Sequence, residues 1–185
     1  MAIAKYSKVC SANTPGNSKF WVVEAANVSG VTVTSGEISS AISMASGKLF
    51  FQFQADTDSI QFTTEGKGKG SFAETFKLTA KFSKKTKELI AAKQSLVDAV
   101  VCGVIVIRQD ANGQCFLSGW NDVDKGGRPY TGITVNFDSG VVPTDEGMNA
   151  YTITLDGTNG YDELPFKSDI NATIIGGTAA FISWV

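Results

Sequence analysis

The sequence predicts a mainly β protein, a β-sandwich or partly open β-barrel with one flanking α-helix at about residues 83–100. Three observations predict it. "SFAETFKLTAKF" alternates with period two: Phe72, Phe76, Leu78, Ala80 and Phe82 fall on even positions, Ala73, Thr75, Lys77, Thr79 and Lys81 on odd ones, and Glu74 is the one exception. That is the period of a strand with one face buried. "SKKTKELIAAKQSLVDAV" then changes to helical spacing, and clusters of Asn, Gly, Ser and Asp cut the rest into short runs about 8–12 residues apart, as in a sandwich or barrel.

In chain order, "KFWVVEA" (19–25) and "GVTVTSGEI" (30–38) read as β-branched or aromatic strands bounded by turn residues. "KLFFQFQA" (48–55) places Phe51 and Phe53 on one face and Gln52 and Gln54 on the other. "SIQFTTE" (59–65) does the same with Ile60 and Phe62. Between this run and Phe72 lies "GKGKG", Gly66 to Gly70, read as a hairpin tip. In the helix, Leu89, Ile90, Ala92, Leu96 and Val97 gather on one side, Ser83 is placed as N-cap, and Lys93 interrupts the apolar stripe. Lys84, Lys85 and Lys87 stand in its first turn, against the helix dipole.

"VCGVIVIRQ" (101–109) is almost continuously apolar, the pattern of a strand covered on both faces. Asn112-Gly113 turns it into "QCFLSGW". "TGITVNFDSG" (131–140) and "AYTITLDG" (150–157) again alternate, with Tyr151, Ile153 and Leu155 on one face. The sum is about eight to ten short strands and one helix. The chain reads as one domain over 1–185, long enough for one buried core.

Composition narrows function. There is no histidine, which removes the commonest general base and most zinc and iron sites. The net charge of -2 gives no basic field for tight nucleic-acid binding. Cys10, Cys102 and Cys115 form no CxxC pair and read as reduced thiols. "MAIAKYSKVC" has no signal-peptide pattern, and no apolar run approaches a membrane span, so synthesis in a reducing cytoplasm is expected. Charged residues make up 18% against 43% apolar, low for a chain that covers its whole surface with charge, and this points to burial against other subunits.

The motifs that suggest chemistry each fail a requirement. A phosphate-binding P-loop needs GxxxxGK[ST] and then a helix. Here Gly66-Lys67 and Gly68-Lys69 are each followed by glycine, and a strand comes next. "NDVDKGGR" spaces Asp122 and Asp124 as a calcium loop would, but Gly126 stands in the place of the third ligand and the closing glutamate is missing. Asp56 with Asp58, and Asp145 with Glu146, are carboxylate pairs of the kind glycosidases use, at a separation sequence does not give. No catalytic residue, metal or cofactor is assigned.

From residue 50 to about 166 the order of motifs resembles the phage tail tube proteins, also called major tail proteins. The shared features are an aromatic strand pair joined by a Gly-rich tip, then "SFAETFKLTAKF", the helix "TKELIAAKQSLVDA", and "VVCGVIVIRQDANGQCFLSGW", with its valine-rich strand and Asp-x-Asn-Gly turn. The sequel "TGITVNFDSGVVPTDEGMNAYTITLDG" ends on an Asn-x-Tyr-Thr-Ile-Thr strand. The resemblance implies a subunit that closes hexameric rings by continued β-pairing, the rings stacking into a tube that conducts DNA. Its partners would be copies of itself, other virion tail proteins and transiently passing DNA, with no membrane; its location would be the virion tail.

By the same resemblance, strands 48–65 and 70–82, marked by Phe51, Phe53, Phe62, Phe72 and Phe76, would line the lumen, and Gly66, Lys67, Gly68, Lys69 and Gly70 would form a ring-stacking loop. Residues 1–47 and 167–185 match no part of the pattern. They read as assembly arms, or as the mark of a relative such as a tail-tube terminator, a neck protein or a contractile injection tube. Two rival readings stand beside this one: a receptor-binding or capsid-decorating sandwich using Trp120 or Tyr130, and an acid/base enzyme using Asp122, Asp124 or Asp145.

Overall fold

The computed structural model describes residues 17–39, 42–48, 50–53, 55, 60–66, 74–82, 87–100, 103–120, 134–138, 151–159 and 163–167. In chain order these form β1 (Asn17–Glu24), a 3-10 turn (Ala25–Asn27), β2 (Val28–Gly30), β3 (Val33–Thr34), β4 (Glu37–Ile38), β5 (Ser43–Met44), β6 (Phe51–Phe53) and β7 (Gln61–Gly66). They continue with β8 (Glu74–Phe82), α1 (Lys87–Val100), β9 (Val104–Asp110), β10 (Cys115–Ser118), β11 (Thr134–Asp138), β12 (Tyr151–Asn159) and β13 (Leu164–Pro165). The protein is mainly β, with one α-helix among the described residues.

Two open sheets carry the fold. One has the order β13-β10-β9-β1-β6, the other β11-β12-β8-β7, and each adjacent pair is antiparallel. Side chains from both meet in one core: Phe20, Val22, Phe53, Val104 and Val106 from the first sheet, Phe76, Leu78, Ala80, Ile153 and Leu155 from the second, with Ala92 and Leu96 from α1. This is a sandwich, and neither sheet closes on itself as a barrel.

The five-stranded sheet is covered on its other face as well. Trp21, Val23, Ile105, Ile107 and Leu117 pack there against Ile38, Ile42, Phe50 and Phe166. Burial on both faces is why β9 reads as an apolar run; four consecutive side chains, Val104 to Ile107, are buried alternately in the two cores. In β8 the even positions Phe76, Leu78, Ala80 and Phe82 are buried and the odd ones, Thr75 to Lys81, are half-buried or exposed, as the alternation predicts.

The Asn112-Gly113 turn forms the β9–β10 hairpin as expected. Asp110 Oδ1 accepts from the backbone N–H of Asn112 (3.0 Å) and of Gln114 (2.8 Å), and Gly113 takes φ of 88°. That conformation favours glycine. Four expectations are corrected. The run 30–38 follows the last residue of β2 with two short strands, β3 and β4, turning about Ser35 (φ 56°) and Gly36 (φ 83°), a reversal that a single extended run would not contain. The helix buries Ala92 and Leu96 and half-buries Leu89 and Ala99, whereas Ile90, about 100° around the axis from Leu89, is 45% exposed. The other two concern β6 and the N-terminal arm. β6 pairs with β1, so Phe51 and Phe53 stand in the sheet opposite Phe62 and Phe76. Residues 17–47, read as part of an arm, supply β1, which lies between β9 and β6 and carries Phe20 and Val22 into the core. Ser83, Lys84, Lys85, the side chains of Lys93 and Val97, and residues 168–185 lie outside the described residues.

Candidate functional site

The outer face of the four-stranded sheet is built by register. Opposite residues of an antiparallel pair share a face, so the pairs Gln61↔Thr79↔Thr154, Thr63↔Lys77↔Asp156, Glu65↔Thr75 and Lys81↔Thr152 assemble one surface. Every one of these ten residues is polar, and none is buried. Across β7, β8 and β12 two lysines, Lys77 and Lys81, stand with two carboxylates, Glu65 and Asp156, and in β11 Asp138 is in register with Thr152. The strands alternate as they do because the opposite positions are spent on the core, so the polar face is the complement of the buried one. Among the described residues, β7 is an open edge of this sheet, and its last four residues, Thr63 to Gly66, are exposed.

The phenylalanines that mark the expected assembly strands are not surface groups of this face. Phe76 is buried, and Phe62 is half-buried and stacked on it with ring centroids 6.1 Å apart. Phe53 is buried and stacked on Phe20 at 5.1 Å. Phe51 stands apart, 44% exposed. Gly66 ends β7 opposite Glu74, and a Cβ added there meets nothing within 4 Å. Phe72, Lys67, Gly68, Lys69 and Gly70 lie outside the described residues.

The sandwich has two sides to close, and it closes them differently. Along one, α1 packs against β11 of one sheet and β1 of the other, beside a groove of about 450 Å³ lined by Val22, Phe51, Phe53, Ala92, Leu96 and Ala99, with the charged residues Glu24 and Lys48 also in its lining. Along the other, where Phe62 of β7 meets Arg108 of β9, the closing groups include a charged pair. Arg108 on β9 lies against the rings of Phe62 (4.4 Å) and Phe116 (4.2 Å) and is ion-paired to Glu163, the residue before β13. Arg108 Nε donates to both carboxylate oxygens at 2.9 and 3.2 Å, Nη2 donates to Oε2, and Ser118 Oγ donates to Oε1 at 2.8 Å. The two side chains are 14% and 8% exposed. Nothing in the local sequence marks this pair, whose members are 55 residues apart.

Groups tied to the rival readings fall as follows. Trp120 is 5% exposed, so its ring offers no stacking face, and Tyr130 lies outside the described residues. Asp56, Asp58, Asp122, Asp124, Asp145 and Glu146 also lie outside them. Among the described residues no three Cys, Asp or Glu side chains group as a metal site, and no helix is long and apolar enough to cross a membrane. Cys115 is a buried free thiol. No protein-family model, no curated protein and no solved structure matches the chain.

Proposed function

We propose that the chain is a virion structural protein, a tail tube subunit that pairs its sheet edges with copies of itself into hexameric rings, the rings stacking into a conduit for DNA. The observation that carries this reading is the four-stranded sheet: an open sheet whose outer face is polar across β7, β8 and β12 and whose edge at β7 is uncovered among the described residues. An uncovered edge exposes a row of unpaired backbone groups, and pairing with a second copy satisfies them. A closed ring is the symmetric arrangement in which every copy does so. The order of motifs from residue 50 to about 166, which resembles tail tube proteins, gives the reading its specific form.

The polar face supports the role assigned to it. Holding a phosphate backbone takes an excess of lysine and arginine; across β7, β8 and β12 this face sets two lysines against two carboxylates, and β11 adds Asp138 in register with Thr152, so there is no such excess. Such a lining lets DNA pass without capturing it. The partners under this reading are other copies, the neighbouring virion tail proteins and transient DNA, and the function is assembly without catalysis. Light scattering across a concentration series tests it: growth to large species supports assembly, and a fixed monomer mass at every concentration counts against it.

A second reading, a receptor-binding or capsid-decorating module, is favoured by the groove beside α1, whose volume of about 450 Å³ falls within the range of small-ligand pockets. Glycan-array binding by a stable monomer would favour it over the tube.

A further inference from the structure

We propose that the Arg108–Glu163 pair is an alignment device, fixing how edge strand β7 lies over the five-stranded sheet. A buried ion pair is a weak source of stability, because desolvating both charges offsets most of their attraction, and apolar residues of the same volume often serve as well. What apolar residues do not supply is direction. The guanidinium is planar and donates through a fixed fork. Here the fork is set by Glu163, and Glu163 is held in turn by Ser118 on β10. The plane so oriented lies against Phe62, a side chain from the other sheet.

Phe62 is the right residue for such a device to hold. Ile60 just before β7 is buried, Phe62 is half-buried, and the four residues after it are exposed. Thr63 to Gly66 are held along the sheet by their pairing with β8, from Thr63↔Lys77 to Gly66↔Glu74, so what the seating of Phe62 fixes is how this β7 edge lies over the five-stranded sheet. The α1 side of the sandwich has contacts that can slide, since Leu89, Ala92, Leu96 and Ala99 make no directional bonds through their side chains. That β7, once aligned, pairs with a second copy rests on the tube reading.

Amide hydrogen exchange on the dilute, unassembled chain tests the alignment without reference to assembly. Arg108→Lys keeps the charge but loses the planar fork, and the double replacement Arg108→Met with Glu163→Leu removes both charges at similar volume. Amides of 61–66 are expected to exchange about tenfold faster in both variants, while those of Phe20–Val23 in β1 keep their wild-type rates. The double variant should also recover the thermal midpoint lost on Glu163→Gln. Wild-type protection of 61–66 in a folded Arg108→Lys variant would overturn the proposal, as would a double variant less stable than either single one. Tube formation by the wild-type chain is read separately: if it fails while the exchange result holds, the tube reading falls and the alignment role stands.

Discussion

Between β11 and β1 the sandwich is closed by α1, through Leu89, Ala92, Leu96 and Ala99, and the fit leaves a groove of about 450 Å³. Beside β7, among the described residues, the two sheets meet through the Arg108 guanidinium, the Glu163 carboxylate and the rings of Phe62 and Phe116. The apolar side tolerates a gap because each contact contributes independently, at about 25 cal/mol per Å² of apolar area removed from water. The ionic side tolerates none, because each charge depends on the other for its burial. The edge proposed for assembly adjoins the side whose geometry is directional.

The largest effect expected is on the apolar side. Phe53→Asp removes a ring stacked on Phe20 and puts a carboxylate where the residue is 7% exposed. Truncating a buried Phe costs about 3–5 kcal/mol before any charge is buried, so circular dichroism should show an unfolded chain. A folded, soluble variant would break the assignment of Phe53 to the core. Next comes Glu163→Gln on the ionic side, expected to lower stability by about 3 kcal/mol because Arg108 keeps its charge and loses the carboxylate it is paired to. Urea unfolding should show a lower midpoint at unchanged slope; a loss below about 0.5 kcal/mol would mean that water already solvates the pair.

Leu96→Ala sharpens the contrast. The side chain is 4% exposed but borders the groove, so its loss should fall near the low end for such changes, about 2 kcal/mol. A loss of about 5 kcal/mol in the same unfolding experiment would show that the α1 side is as tightly interlocked as the ionic one. Smallest are Phe51→Asp and Ile90→Lys, at residues 44% and 45% exposed. Each should leave stability within about 0.5 kcal/mol. Phe51→Asp paired with Phe53→Asp separates two positions that the alternation alone treats as equivalent.

Much of the fold was legible because its signals are local. The period-two alternation of β8, the apolar run of β9 and the Asn112-Gly113 turn each depend on a few neighbouring residues. The alternation of Phe51 and Phe53 also placed both on one face, but no local feature says which sheet a three-residue strand joins. The pairing of β6 with β1 is decided by long-range register, and so is the central position of β1. The Ser35-Gly36 reversal had a signal, since a Ser-Gly dipeptide marks turns, and it was masked by the β-branched run before it. Glu163 had none: no motif or periodicity in "YDELPF" points to Arg108, and only the fold brings the two together.

The polar face of the four-stranded sheet was legible in the odd positions of β8, and its extent across β7 and β12 follows from their register. Its proposed role in a tube is tested most directly by negative-stain electron microscopy of the concentrated protein. The account predicts hollow tubes, or rings with six-fold symmetry whose subunits continue the β-sheet from copy to copy. Fields of single globular particles at every concentration, matched by a monomer mass in solution, would contradict it.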